Sequence, residues 1–281
     1  MSETKKKITL PKIAAIIVAA IILVITIYPI LWLMMSSFKN NSELAVTPMY
    51  KLPREWVWQN FPNAWGRGNI GLFMINSAVY TIGGIALILV LALPASFALA
   101  KMRWKLSGVT QTIFTIGITI PFQVCLIPLF IVMKNLGLVN NRFGMILIYA
   151  AFGLSQAIFM FANFFRTVPN ELMEAAFIDG CGLTKTFLLI LVPLVGNATV
   201  TIVMLQFTRI WNDLLISQTF VNTMTKKSLQ TGLLMFIGEE ASRDWALSFA
   251  AITIGMLPTL IIYFFLNQSI IAGMTAGAIK G

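Results

Sequence analysis

Long uncharged stretches constrain the fold of this chain more than any motif does. Six windows between charged residues are each long enough to cross a membrane as a helix, which takes roughly 20 apolar residues for about 30 Å of hydrocarbon. Hydrophobic residues make up 58% of the 281 residues and charged residues 11%, a balance that a water-soluble globule of this size does not reach. The chain is therefore predicted to be a membrane protein.

The windows are continuously apolar, whereas membrane strands would alternate apolar and polar residues. This pattern predicts an all-α, multi-pass transmembrane bundle of six helices, because a helix satisfies its own backbone in lipid. The spans are expected near residues 13–36, 73–100, 109–133, 143–165, 194–220 and 246–268. Prolines lie within or beside several of them, which bundle helices tolerate when neighbours bind the freed carbonyls.

The basic N-terminus sets the expected orientation. Lys5, Lys6, Lys7 and Lys12 precede the first span, and basic flanks of a first span stay in the cytoplasm. A cleaved signal peptide is the alternative, but the apolar run is too long for one and lacks a small-residue cleavage site. Residues 1–12 are thus expected to form a cytoplasmic N-terminus, with 13–281 as the membrane domain and the C-terminus also inside.

Missing residue types exclude much chemistry. The sequence has no histidine, so Ser/His/Asp and Cys/His nucleophile systems and His-bearing metal sites are ruled out. Cys125 falls in the third span and Cys181 in a polar segment, so a disulfide is not expected. No catalytic residue, metal site or bound cofactor is predicted.

The net charge of +10 is spread over loops at both faces, which favours contact with membrane lipid over nucleic acid.

One polar island, EAAFIDG at 174–180, lies between the fourth and fifth spans. Asn170 is a plausible N-cap, and acids in the first turns suit the helix dipole, while Gly180 would end the helix. A second helix is expected over 183–191, so that 166–193 forms a cytoplasmic helical hairpin. Its apolar side chains would bury in a partner, and its alanines would permit close approach. A connector that merely covers the membrane surface is the alternative.

The spacing of the island resembles the E-A-A-x-x-x-G-x9-I-x-L-P signature of binding-protein-dependent ABC importer permeases. Glu174, Ala175, Ala176 and Gly180 match it, as do Ile190 and Pro193, while Val192 replaces the leucine. The ending GMTAGAIKG is similar to that of the maltose-type second permease subunit of the carbohydrate-uptake class one family. Further fragments match in order along nearly the whole chain: SFALAK at 96–101, PFQ at 121–123, NFFR at 163–166 and WND at 211–213.

The resemblance implies a permease subunit of an ATP-driven importer in a prokaryotic plasma membrane, carrying an oligosaccharide or related sugar. It implies a second permease, two cytoplasmic ATPase subunits that hold ATP and Mg²⁺, and an extracytoplasmic sugar-binding protein. The implied ATPase-coupling residues are Glu174, Ala175, Ala176, Phe177, Asp179 and Gly180. The tail at 274–281 is expected to be flexible, and contact with the ATPase and a frayed end are its two alternatives; the candidate residues are Thr275, Gly277, Lys280 and Gly281.

A sugar path requires polar side chains inside the bundle. Arg209 and Asp213 are four residues apart in the fifth span and are expected to pair on one helical face, for either substrate passage or helix packing. The candidate path residues are Gln123, Asn163, Gln206, Arg209, Trp211, Asn212 and Asp213. The alternatives are a permease for glycerol phosphate, an amino acid or a peptide, and a secondary transporter, although no inverted repeat is evident.

Overall fold

The computed structural model describes residues 10–48, 50–240 and 244–278, with side chains for 12–48, 50–66, 68–234 and 244–264. All regular structure in these ranges is helical, without a strand, and the predicted all-α class is confirmed. In order, the helices are Leu10–Ser36, Asn41–Val46, Asn60–Arg67, Ile70–Lys101, Ser107–Thr119, Phe122–Asn135, Arg142–Thr167, Glu171–Ile178, Leu183–Lys185, the π-helix Thr186–Leu191, Val192–Leu194, Gly196–Trp211, Leu215–Phe220, the 3-10 helix Met224–Lys226, Leu229–Glu240 and Trp245–Ala278.

Four helices are long and apolar enough to cross a membrane by themselves. Two further crossings are bent pairs, Ser107–Thr119 with Phe122–Asn135 at 104° and Leu183–Leu194 with Gly196–Trp211 at 72°. The expected total of six holds when each pair counts as one span. We call these crossings spans one to six in chain order.

Span three is not the continuous helix that was predicted over 109–133. It breaks at Ile120 and Pro121, whose ψ angles of 114° and 127° are extended. Proline lacks the amide that would continue the helix, and it disfavours helical geometry in the residue before it. The break therefore follows from Pro121.

The predicted helix over 194–220 is also interrupted. The helix ends at Trp211, and a separate helix, Leu215–Phe220, follows. The carboxylate of Asp213 accepts hydrogen bonds from the amides of Ile216 and Ser217, at 3.2 and 3.0 Å. Since these amides have no partner within their own helix, the carboxylate starts the new helix as a capping group does.

Span six extends further than the predicted end at residue 268. The helix continues to Ala278 and includes part of the tail that was expected to be flexible. Thr275 and Gly277 lie on this helix, but their side chains are outside the described ones. Lys280 and Gly281 lie outside the described residues.

The chain divides into two compact units. The first comprises residues 1–69 and 235–254. In it, the ring of Phe38 packs edge-on against Trp56 and Trp58, with centroids 5.0 and 4.8 Å apart. The side-chain amide of Asn60 donates to the carbonyls of Ser37 and Lys39, at 2.9 Å each, and so holds the chain beyond span one.

The second unit comprises residues 70–234 and 255–281 and contains most of the core. Spans two and four pack along each other, and Gly196–Trp211 of span five packs against both. Tyr80, Ile88, Phe161 and Phe165 are almost completely buried between these helices. This core carries both regions in which functional residues were predicted.

Candidate functional site

The hairpin at 166–193 begins with the short helix Glu171–Ile178, here called the hairpin helix. Gly180, at φ +80°, reverses the chain after it, a conformation that side-chain-bearing residues rarely adopt. The glycine stop is therefore confirmed. Asn170 does not act as the expected N-cap, because its backbone is helical and its side chain binds elsewhere.

The hairpin helix is packed onto its own chain through Ala176, which is only 4% exposed. The carbonyl of Ala176 accepts a hydrogen bond of 2.9 Å from the amide of Cys181. The π-helix that follows contacts the hairpin helix and packs Phe187, which is half-buried, against Phe97 and Phe165, with centroids 5.0 and 6.4 Å apart. The small side chain of Ala176 thus serves packing within this chain, and its expected role beside a partner stays a prediction.

A lysine joins span two to the start of the hairpin helix. The ammonium of Lys101 donates to the carbonyl of Val168 at 2.5 Å and to Oδ1 of Asn170 at 2.7 Å. This contact explains why Asn170 is not a cap, because its side-chain oxygen is already bound to the lysine. Displacement of the hairpin helix therefore pulls directly on the end of span two.

The other face of the hairpin helix is open. Phe177 and Ile178 are 44 and 85% exposed on this face, although both are large apolar side chains. Exposed beside them are Glu174 and Ala175. Leu172 lies on the packed side of the helix, one turn earlier, and is 41% exposed. Exposed apolar side chains beside an acid form a surface that a protein partner can cover.

A polar cluster lies in the core between spans four and five, formed by Tyr149, Gln156, Gln206, Arg209 and Asp213. Arg209 donates from Nη2 to the carbonyl of Tyr149 at 2.8 Å and from Nε to Oε1 of Gln206 at 3.1 Å. Gln206 donates to Oε1 of Gln156 at 3.2 Å. Gly153 packs closely against this cluster, since a Cβ there would lie 2.7 Å from Oε1 of Gln206 and 2.8 Å from Nη2 of Arg209, and these side-chain ends would have to move.

The expected direct pair between Arg209 and Asp213 is wrong. Asp213 lies beyond the end of the helix and accepts from the hydroxyl of Tyr149 at 2.8 Å. The carbonyl of Tyr149 therefore binds Arg209, and its phenol binds Asp213. Both charges are satisfied by hydrogen bonds within the bundle, as charges at membrane depth must be.

The remaining predicted path residues lie in different environments. Gln123 is exposed near the break in span three, and Asn163 is exposed and accepts from Arg166 at 2.9 Å. Asn212 is exposed and donates to the carbonyl of Thr208 at 2.9 Å. Trp211 is buried and stacks on Phe207, and its Nε1 has no hydrogen-bond partner among the described residues. Of the seven residues, only Gln206, Arg209 and Asp213 belong to the polar cluster.

Residues 84–276 match the family described as "Binding-protein-dependent transport system inner membrane component". The chain belongs to this family. Its members are permease subunits of ABC transporters and are not themselves ATPases. The resemblance carried by the EAAFIDG island is thereby confirmed.

Curated relatives are permeases of sugar uptake systems. The chain is 31% identical to the diacetylchitobiose uptake system permease protein NgcG of Streptomyces coelicolor, over 96% of this chain and 90% of NgcG. It is 28% identical to the probable starch degradation products permease AmyC of Thermoanaerobacterium thermosulfurigenes, over 98 and 99% of the two chains. It is 29% identical to the melibiose/raffinose/stachyose import permease MelC of Bacillus subtilis, over 94 and 95%.

The fold of the permease also occurs in a solved structure. A chain of a bacterial ABC transporter involved in the import of the acidic polysaccharide alginate superimposes with a TM-score of 0.82. The match covers 95% of this chain and 99% of the other, at 22% identity. At this identity the match establishes the fold alone.

Sequence reasoning about the permease missed Tyr149, Gly153 and Gln156. They lie on one helix at positions i, i+4 and i+7, a spacing that brings side chains to one face. A search of span four for polar or small residues at this spacing would have found them. The role of Lys101 had no comparable signal, because its partners are 67 and 69 residues away.

Proposed function

We propose that this permease is one of two related membrane subunits of an importer for an oligosaccharide or a related sugar. Two cytoplasmic ATPases, which bind ATP and Mg²⁺, would grip its hairpin, and an extracytoplasmic binding protein would deliver the sugar. The family, named for binding-protein-dependent transport, supports this assembly. The sugar uptake named for NgcG, AmyC and MelC supports the substrate class.

In this proposal residues 13–281 form the transporter domain and residues 1–12 a cytoplasmic N-terminus. Both termini and the hairpin would lie in the cytoplasm, on the support of the basic N-terminus and the cluster at Lys101, Arg103 and Lys105. The tail residues Thr275, Gly277, Lys280 and Gly281 would lie on the same side as the ATPases.

The observation that carries the coupling role is the two-sided hairpin helix. Its outer face offers Phe177 and Ile178 for burial in an ATPase cleft, and Glu174 offers a charge to a basic partner residue. Its inner face is fastened by Ala176 and through Lys101 to span two. A conformational change in the ATPase can shift the bundle from one state to the other only if the ATPase contacts this helix more favourably in one of the two states.

The polar cluster is proposed to line or gate the sugar path. Its amide, phenol and guanidinium groups are neutral or positively charged donors that suit sugar hydroxyls. The break between Trp211 and Leu215 lets the carboxylate of Asp213 face Tyr149 of span four. A small shift of span five would therefore exchange hydrogen bonds within the cluster for bonds to a passing sugar.

A matched pair of glycine variants tests the coupling role. Gly180→Val places a β-branched side chain at φ +80°, whereas Gly182→Val alters a nearby glycine at φ −72° with open space around it. We expect Gly180→Val to abolish the ATP hydrolysis that sugar-loaded binding protein stimulates in the purified transporter, while Gly182→Val retains it. Glu174→Lys should act like Gly180→Val, with the exposed Glu55→Lys as its control.

Membrane insertion and the yield of assembled transporter are measured for each variant. Full stimulation of both Gly180→Val and Glu174→Lys would remove the hairpin from the coupling mechanism. The substrate class is tested with binding protein loaded with each of a panel of sugars, with an amino acid or with glycerol phosphate. It would be overturned if no sugar stimulated ATP hydrolysis while the amino acid or glycerol phosphate did.

A further inference from the structure

A cavity of about 420 Å³ lies within the first unit, where span one ends. Its aromatic wall is formed by Trp32, Trp245 and Phe249, with Trp32 and Phe249 packed edge-to-face at a centroid distance of 5.4 Å. Its polar wall contains Ser36, Lys39 and Thr47. The volume falls in the range of small-molecule sites and exceeds that of a single phosphate.

Three polar residues of this cavity are buried, and two of them have hydroxyls without a described partner. Ser36 and Lys39 are 0 and 1% exposed and Thr47 is 8% exposed. The hydroxyls of Ser36 and Thr47 have no hydrogen-bond partner among the described residues. Buried polar groups without partners are rare and costly in folded proteins, which indicates that a bound group completes this wall.

No described acid neutralises Lys39. Glu43, the nearest acid along the chain, binds the amide of Arg54 through its Oε1 at 2.8 Å. Asp244 accepts from Nδ2 of Asn41 at 3.0 Å and from the amide of Leu247 at 2.9 Å. The amide of Asn41 also lines the cavity, but its Nδ2 and Oδ1 are bound to Asp244 and to the amide of Ala246. The remaining polar groups are an ammonium and two hydroxyls, with no described carboxylate among the lining residues, and this set can donate to an anion.

The cavity lies at the expected boundary of the membrane. Ser36 is the last residue of span one, Trp32 lies one turn earlier, and Lys39 follows three residues later. Tryptophan concentrates at the level of lipid headgroups, and an ammonium forms charge-assisted hydrogen bonds with a phosphate. The apolar side chains of span one before this point are exposed, so acyl chains can reach the cavity along the helix.

We propose that this cavity binds the headgroup of an anionic phospholipid. The ammonium of Lys39 and the hydroxyls of Ser36 and Thr47 donate to the phosphate, while the glycerol and the first acyl carbons lie against Trp32 and Phe249. Such a lipid would hold the end of span one to the helix Asn41–Val46 and to the start of span six, the three helices that line the cavity. The proposal is independent of which solute is transported.

The test is a titration of the detergent-solubilised, complete transporter with phosphatidylglycerol, followed by native mass spectrometry. We expect one tightly held lipid for each copy of this chain. Lys39→Gln should weaken that binding about tenfold, because a charge-assisted contact is lost. Lys51→Gln, which removes an exposed lysine of the same loop, should leave it unchanged.

Three further arms make the assignment specific. Lys39→Arg should restore binding, and Thr47→Val, which removes only a hydroxyl, should weaken it without loss of assembled transporter. Equal retention of phosphatidylcholine, or undiminished binding by Lys39→Gln, would overturn the proposal. Full displacement of the lipid by millimolar inorganic phosphate would assign the site to free phosphate. Occupancy of the site by an acidic side chain of the binding protein would also overturn the lipid proposal.

Discussion

The hydroxyl of Tyr149 donates a hydrogen bond of 2.8 Å to Oδ2 of Asp213, and this bond joins span four to the segment between the end of span five at Trp211 and the helix Leu215–Phe220. The carbonyl of the same tyrosine accepts from Arg209. One residue therefore binds both a cation and an anion in the bundle. The pair of contacts makes Tyr149 the centre of the polar cluster.

Tyr149→Phe removes the phenolic donor and leaves the ring packing intact. We expect the apparent stability of the assembled transporter to fall by about 1 kcal/mol, the usual scale for one interhelical hydrogen bond in a membrane. Uptake of radiolabelled sugar into proteoliposomes should fall as well. Tyr28→Phe, at an exposed tyrosine of span one, is the control, and equal melting and uptake of the two variants would contradict the role of Tyr149.

Gly153→Ala inserts a methyl group between spans four and five. The new Cβ would meet Ile88, Gln206 and Arg209 at distances that require the cluster to move. A loss of roughly 1–3 kcal/mol is expected from overpacking of this kind. Thermal melting of the purified transporter measures it, and Gly108→Ala, whose Cβ would meet nothing within 4 Å, serves as the control. Unchanged melting of Gly153→Ala would show that the helices separate there without cost.

Lys101→Met cuts the connection between span two and the hairpin while keeping the apolar stem. We expect basal ATP hydrolysis to persist and stimulation by loaded binding protein to fall several-fold, because displacement of the hairpin no longer pulls on span two. Lys105→Met, at an exposed lysine, should retain stimulation. Normal stimulation with Lys101→Met would show that the lysine is not needed for coupling, and that another contact, such as that of Phe187 with Phe97, links the hairpin to span two.

Asn76→Leu removes a buried side chain that makes three hydrogen bonds at the other end of span two. Its side-chain amide donates to the carbonyls of Thr225 and Lys227, at 3.0 Å each, and its Oδ1 accepts from Arg142 at 2.9 Å. Leaving these partners unpaired should cost roughly 1–3 kcal/mol. Thermal melting is the measurement, with Asn197→Leu at an exposed position as the control. A stability loss no larger than that of the control would mean that water replaces the amide.

Composition and local pattern were sufficient for the class of protein and for its main helices. An uncharged window in lipid has few stable alternatives to a helix, so spans one, two and four were predicted to within a few residues. The turn at Gly180 was equally local, since a left-handed residue after a short helix favours glycine.

The failures have a common cause in contacts between distant segments. Asn170 has the residue type of an N-cap, yet the ammonium of Lys101 binds its oxygen. Arg209 and Asp213 have the spacing of a helical pair, yet the helix ends between them and Tyr149 holds both. The burial of Ala176 within its own chain likewise could not be read from the motif that contains it.

The sequence by itself determined that the chain lies in the membrane as helices and that a helix, stopped at Gly180, interrupts its apolar pattern. Both follow from interactions within a few residues or with the lipid solvent. Only the tertiary structure decided which polar side chains meet, where spans three and five break into separate helices, and which face of the hairpin helix stays open. Those outcomes depend on partners supplied by other helices, and one chain segment carries no information about them.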